Sequence, residues 1–182
     1  MTQPTFPQLK SLDAFNPHDP AIKLILSGGV TTSLVLPGSG NLMGGEAFAF
    51  KHFTPMSNSA EDMLLNSNMK SKEDGAQWRW MKMACGENPK NVYGEKGQTP
   101  SSRMGSAWLF RERFEEARNE MIKQQDWCSA STALVAQEGE HAHEFVTERY
   151  PMAEKHESLI ALLRGNVRLN IHCYETHVRP YL

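Results

Sequence analysis

Apolar and polar positions along the chain fall into blocks of different period. Asn16-Pro-His-Asp-Pro20 is a turn cluster, with Asp19 placed to cap a helix and Pro20 at its first position. The following AIKLILSGG fits a short helix stopped at Gly28-Gly29, where a left-handed cap needs a residue without Cβ. Residues 30–36 (VTTSLVL) are β-branched or apolar with no polar alternation beyond Thr and Ser, as in a strand buried on both faces of a parallel sheet. After PGSGNLMGG, residues 46–53 read as a second strand. Helix, strand, glycine loop and strand together spell an α/β order.

Between residues 54 and 77 the pattern dissolves into Ser, Asn, Lys and Asp, which predicts a flexible excursion with a short helical piece at 60–65. Residues 78–85 (WRWMKMAC) suit a helix or a strand equally, and 86–102 read as loop. The spacing predicts a helix over 106–125, because Phe110, Phe114, Ala117 and Met121 recur at i, i+4, i+7 and i+11. A second helix is expected over 151–164, with Leu159, Leu162 and Leu163 inward and Gly165 as its stop. Residues 167–173 (VRLNIHC) alternate as a strand does.

Composition narrows the function classes. The chain has 182 residues, enough for one domain with a core, and 19 basic against 21 acidic residues leave a formal charge of −2. No basic excess or stripe is present, so a nucleic-acid partner is not expected. No apolar run approaches the ~20 residues that span a bilayer, so no membrane partner is expected either. The start, MTQPTFPQLK, lacks a secretory h-region and reads as an unstructured tail over residues 1–10, which points to the cytoplasm. Cys85, Cys128 and Cys173 are three, far apart and without a C-x-x-C pair, so reduced structural thiols are expected.

Four places carry candidate chemistry. Gly38 and Gly40 supply a G-x-G after a strand, but the third glycine of a dinucleotide fingerprint would fall at Met43, and no Gly-Lys-Ser/Thr follows. What remains is a loop with Asn41, Gly44 and Gly45 that needs a close backbone approach or φ > 0, at the end of a strand where α/β barrels build their sites. In Cys85-Gly-Glu-Asn-Pro-Lys90, Glu87 could bind a metal or move a proton and Lys90 could hold an anion, with Asn88 between them. His141 and His143 are an H-x-H pair in a helix-like context, where i and i+2 point about 200° apart and cannot share one ion. His172 ends an alternating strand beside Cys173, Tyr174 and Glu175, a position from which a barrel strand presents nitrogen to a metal.

Taken together, SLDAFNPHDPAI, GGVTTSLVLPGSGNLMGGEAFAFK, KMACGENPKNVYG, SSRMGSAWLFRERFEEA and LLRGNVRLNIHCYET resemble, in order, the imidazolonepropionase-like branch of the metal-dependent amidohydrolase superfamily. The resemblance spans roughly residues 11–176 and is weakest over 55–77 and 126–158. It implies an α/β fold, a (β/α)₈ TIM barrel with a divalent metal at its mouth, zinc first, and hydrolysis of non-peptide carbon–nitrogen bonds in small amide or lactam-like substrates. His172 matches a metal-binding histidine, and Glu87 and Lys90 match the G-E-N-P-K loop. Lys51 ends the GG-x-x-F-x-x-K strand, and either Lys51 or Glu87 would be a further ligand. Gly38 to Gly45 would line the mouth. The family's H-x-H pair has no counterpart in MTQPTFPQLK, and the pattern ends near His177. An incomplete barrel over residues 11–182 is therefore expected, since a full one takes ~250 residues. It would be inactive alone, without a metal if the remaining ligands are missing, and its exposed edges would allow self-association.

Overall fold

The structure is a computed structural model, and it describes residues 3–53, 55–57, 59–65, 79–139 and 148–174. Four strands form one sheet in the order β1-β2-β3-β4: β1 Thr32–Val35, β2 Met43–Lys51, β3 Arg79–Ala84 and β4 Val167–His172. The β1–β2 and β2–β3 pairs are antiparallel, and β3–β4 is parallel in the register Arg79↔Val167 to Ala84↔His172. The sheet is mixed, and β1 is half-buried at its edge; a strand buried on both faces in a parallel sheet is not what 30–36 forms. An antiparallel edge strand does not need helices packed over both of its faces, so β1 keeps part of its surface in water.

Four helices accompany the sheet among the described residues: α1 Pro20–Ser27, α2 Glu87–Gly94, α3 Arg103–Glu138 and α4 Glu157–Leu163. Asp19 caps α1 by accepting from Ala21 N at 2.8 Å, as its place before Pro20 predicts. Residues 86–102 do not stay a loop, because Glu87 and Pro89 sit in the first turn of α2, where an acidic residue meets the helix dipole and proline gives up no hydrogen bond. The α3 helix runs to 36 residues, with Ser102 Oγ capping Gly105 N at 3.1 Å and Gly139 closing it at φ 60°. No Pro or Gly interrupts residues 106–138, so nothing in the chain stops the helix at 125. The helix expected over 151–164 is shorter: a 3₁₀ turn at Glu154–His156 leads into α4. In the 54–77 excursion, a 3₁₀ turn forms at Ala60–Met63, and residues 66–77 lie outside the described residues, as do His141 and His143.

The β3 strand sets which residues meet the core. Alternation sends Met81 and Met83 to the helix side, where they are fully buried with Met43, Leu159, Phe110 and Ala117. Phe114 and Met121 pack on the same cluster, so the stripe read from the sequence is the face α3 buries. A second cluster of Ile22, Phe48, Phe50 and Met63 lies under α1, with Phe15 stacked edge-on to Phe48 at 5.1 Å. Residues 3–10 are not a loose tail. They run beside the start of β2, with Phe6 N on Met43 O (2.8 Å) and Glu46 N on Leu9 O (2.7 Å), because β2 has unpaired backbone groups there to satisfy. Among the described residues no helix is long and apolar enough to cross a membrane.

One buried carboxylate is neutralised within this frame. Glu46 on β2, 7% exposed, is paired with Arg79 on β3 and takes the Ser158 hydroxyl from α4, while Arg79 also forks onto Glu157 at 2.7 Å. The Arg79 hydrogen bonds hold the Glu157 carboxyl below its usual range, and the arginine is more firmly protonated than usual. Arg79→Gln should cost roughly 2–3 kcal/mol, less than the ~3–5 of a fully buried pair because Arg79 keeps 26% of its side chain exposed. A depressed carboxylate pKa adds stability above the ordinary carboxylate range and loses it as pH falls through the folded value. Urea unfolding of both proteins should therefore show a gap at pH 7 that narrows below about pH 4.

Candidate functional site

The glycine loop 38–45 serves the chain's own packing. Gly45 has φ 113°, and a Cβ there would lie 2.3 Å from Leu9 O; at Gly44 it would lie 2.8 Å from Pro37 Cβ. The N-terminal segment thus occupies the space that a close backbone approach opens. Asn41 is buried and donates to Gln3 O at 2.8 Å and to Tyr93 Oη at 3.2 Å, so its amide joins the same packing. Gly38 meets nothing within 4 Å, and Gly40 lies in the turn after it. In the sheet register Gly45 stands opposite Lys82, while Asn41 and Gly44 take their close contacts from Gln3, Tyr93 and Pro37.

The parallel pair β3–β4 presents a second group of polar residues. Opposed residues of neighbouring strands share a face, so Trp80, Lys82 and Ala84 of β3 lie beside Arg168, Asn170 and His172 of β4, away from the methionine core. His172 sits at the C-terminal end of β4, opposite Ala84. Lys82, 7% exposed, is directly opposite Asn170, whose buried Nδ2 has no hydrogen-bond partner. Burial pushes the Lys82 ammonium below its ordinary pKa. Two nitrogens that can lose a proton, one imidazole and one amine, therefore stand two residues apart along one face. The sequence reading missed Lys82; the signal was the polar residue between Met81 and Met83 in an otherwise apolar strand.

Lys51 does not reach them. Ala84 N bonds Leu42 O at 2.9 Å, which puts His172 level with Leu42, and Lys51 ends the same strand in the other direction. At ~3.3 Å per residue the two are about 25–30 Å apart, too far to bind one ion. Glu87 and Lys90 form an ion pair on the first turn of α2, with Arg103 Nη2 at 3.5 Å. The Lys90 hydrogen bond lowers the Glu87 pKa, so this carboxylate is a poor proton donor at neutral pH. Asn88 is a connector: its Nδ2 donates to Ser39 Oγ at 2.7 Å and its Oδ1 accepts from Tyr174 Oη at 2.9 Å.

Cys85 and Cys173, 88 positions apart in sequence, form a disulfide with Cα atoms 5.3 Å apart. This replaces the expectation of reduced thiols. Parallel pairing carries the residue after each strand to the same place, and spacing in the chain gives no sign of it. Cys128 is free and exposed.

A second cleft, of about 630 Å³, lies under α1 between Phe15, Ile22, Val35 and Phe50. Ser33 Oγ and His52 Nε2 meet in its wall at 2.7 Å, while His52 Nδ1 is buried without a partner. A bare acceptor is cheaper to bury than a bare N–H, so the proton belongs on Nε2, donating to Ser33. In that tautomer the imidazole does not activate the hydroxyl.

Comparison with known proteins follows this geometry. The chain is 41% identical over 168 residues to the amidohydrolase tasK of Hapsidospora irregularis, a match that spans 92% of this chain and 16% of that protein. The crystal structure of an amidohydrolase from Thermotoga maritima MSB8 matches with a TM-score of 0.72 and 34% identity, over 99% of this chain and 40% of that one. No protein-family profile matches. Both likenesses support the amidohydrolase superfamily. The chain spans well under half the length of either amidohydrolase.

Among the described residues Lys82 has no ion-pair partner, and a buried ammonium of that kind weakens the fold until it loses its proton. Lys82→Met should therefore raise the urea midpoint at pH 7 by roughly 1 kcal/mol equivalent. The gain should shrink as pH rises through the ordinary lysine value of 10.5, above which the wild-type amine is neutral in both states. A gain constant from pH 6 to 10 would count against a lysine that is charged and desolvated at neutral pH.

Proposed function

We propose that this chain carries part of an amidohydrolase of the imidazolonepropionase-like branch, acting on non-peptide carbon–nitrogen bonds of small amide or lactam-like substrates. In this reading the four-stranded sheet is a segment of an incomplete TIM barrel. The supporting observation is the shared face of Lys82 and His172 at the C-terminal end of a parallel strand pair, in a chain 41% identical to an amidohydrolase. Barrel enzymes build their sites at that end of the strands.

A divalent metal, zinc first, would supply a hydroxide nucleophile near neutral pH in such a site. The residues in hand do not complete one. Catalytic zinc takes three protein ligands, and among the described residues no three His, Cys, Asp or Glu come together. His172 and Lys82 fit two positions of a shell whose other members lie elsewhere, with Glu87 the nearest candidate in sequence. We propose that the chain alone is inactive. A second copy across the outer sides of β1 and β4 is the proposed cover for those edges.

Cobalt(II), which colours on binding nitrogen and sulfur ligands, tests this reading. The chain should bind it weakly, His172→Ala and Lys82→Met should each weaken binding at least tenfold, and Lys51→Ala should leave it unchanged. No lactam or N-acyl substrate should be turned over. Binding indifferent to His172 would remove the site, and stoichiometric zinc with turnover would remove the inactive reading.

A further inference from the structure

We infer that the Cys85–Cys173 disulfide is a redox-responsive latch on the C-terminal end of the β3–β4 pair. The inference rests on reading that end as the functional site. Cys85 directly follows β3 and precedes the Gly86-Glu87-Asn88 entry to α2, while Cys173 directly follows His172. The bond therefore ties the segment that launches Glu87 and Lys90 to the strand end that presents His172. Few other links span this gap. The backbone contributes Cys85 N on His172 O at 3.0 Å, and the side chains contribute Tyr174 Oη on Asn88 Oδ1 at 2.9 Å. Tyr174 is 60% exposed, so water competes for the second link. Its ring also lies against Gly86, where a Cβ would meet Tyr174 Cδ2 at 2.9 Å. Opening the disulfide leaves the register to the β3–β4 ladder, which ends at Ala84↔His172, and beyond that pair one sheltered hydrogen bond joins the two segments, so local opening at this strand end needs little more.

The chemistry is a thiol–disulfide exchange with a dithiol reductant. Cys85 is 5% exposed and Cys173 is half-buried, so the entering thiolate attacks Cys173 Sγ and Cys85 leaves as a thiolate that takes a proton. The second thiol of the reductant then resolves the mixed disulfide and releases Cys173 as a thiol. The protein gains two electrons and two protons, and the dithiol becomes a disulfide.

The test compares full-length chain purified without reductant with the same chain in dithiothreitol, beside a Cys128→Ser variant that removes the free thiol. Peptide mapping without reduction should recover residues 85 and 173 in one linked pair. Hydrogen–deuterium exchange should then quicken at least tenfold over 85–88 and 171–174 on reduction, with 103–121 of α3 unchanged. Two unlinked thiols, unchanged exchange at both segments, or an equal rise across all elements would each overturn the latch. Cobalt(II) titration of both redox states separates the ideas. Binding in neither state removes the hydrolase reading and leaves the latch to the exchange data, whereas unchanged exchange with His172-dependent binding removes only the latch.

Discussion

The parallel register of β3 with β4 is the constraint on which the rest depends. Because side chains alternate along a strand, this pairing decides at once what enters the core and what faces the other side. In the observed register Met81 and Met83 join Leu159 and Phe110 beneath α3 and α4, and Lys82 falls opposite Asn170. A slip of one residue in β3 would drive the Lys82 ammonium into the methionine cluster and turn Met81 outward. The Glu46–Arg79–Glu157 group ties the start of β3 to β2 and to α4 by charge, and the Cys85–Cys173 bond joins the residues that follow β3 and β4 covalently. Both anchors join residues remote in sequence, so each also restricts which register the unfolded chain can close upon.

The local patterns were readable from residues because their causes are local. Asp19 and Pro20 start α1, the Phe110-Phe114-Ala117-Met121 stripe marks the buried face of α3, and 167–172 alternates as β4 does. Where the sequence reading fell short, the deciding contact lies far along the chain. Gly45 answers to Leu9, Asn41 to Gln3 and Tyr93, and Cys85 to Cys173. The glycine loop thus looked like a ligand cradle while its tightest approach is to the protein's own N-terminal segment. The α2 helix was legible after all, since proline and an acidic residue in a first turn are helix-start signals, but the run of Gly and Pro around it outweighed them.

The candidate site divides in the same way. His172 ends β4, as the alternation of 167–173 predicts, whereas Lys51 shares its type of strand position but not its end of the sheet. An antiparallel β2 is the reason: it runs its last residue away from the end where β3 and β4 finish. Lys82 gives no signal in the sequence by itself, because WRWMKMAC suits a helix or a strand equally until its strand is given a neighbour. The similarity is to proteins named amidohydrolases, and among the described residues no three His, Cys, Asp or Glu come together.

Paramagnetic cobalt(II) added to isotopically labelled protein offers the most direct measurement of the central claim, that His172 and Lys82 form one half-built site. Resonances of His172 and Lys82 should broaden first and together, while those of Lys51, His52 and His18 stay sharp. Broadening centred on His18, or reaching Lys51 as early as His172, would contradict it.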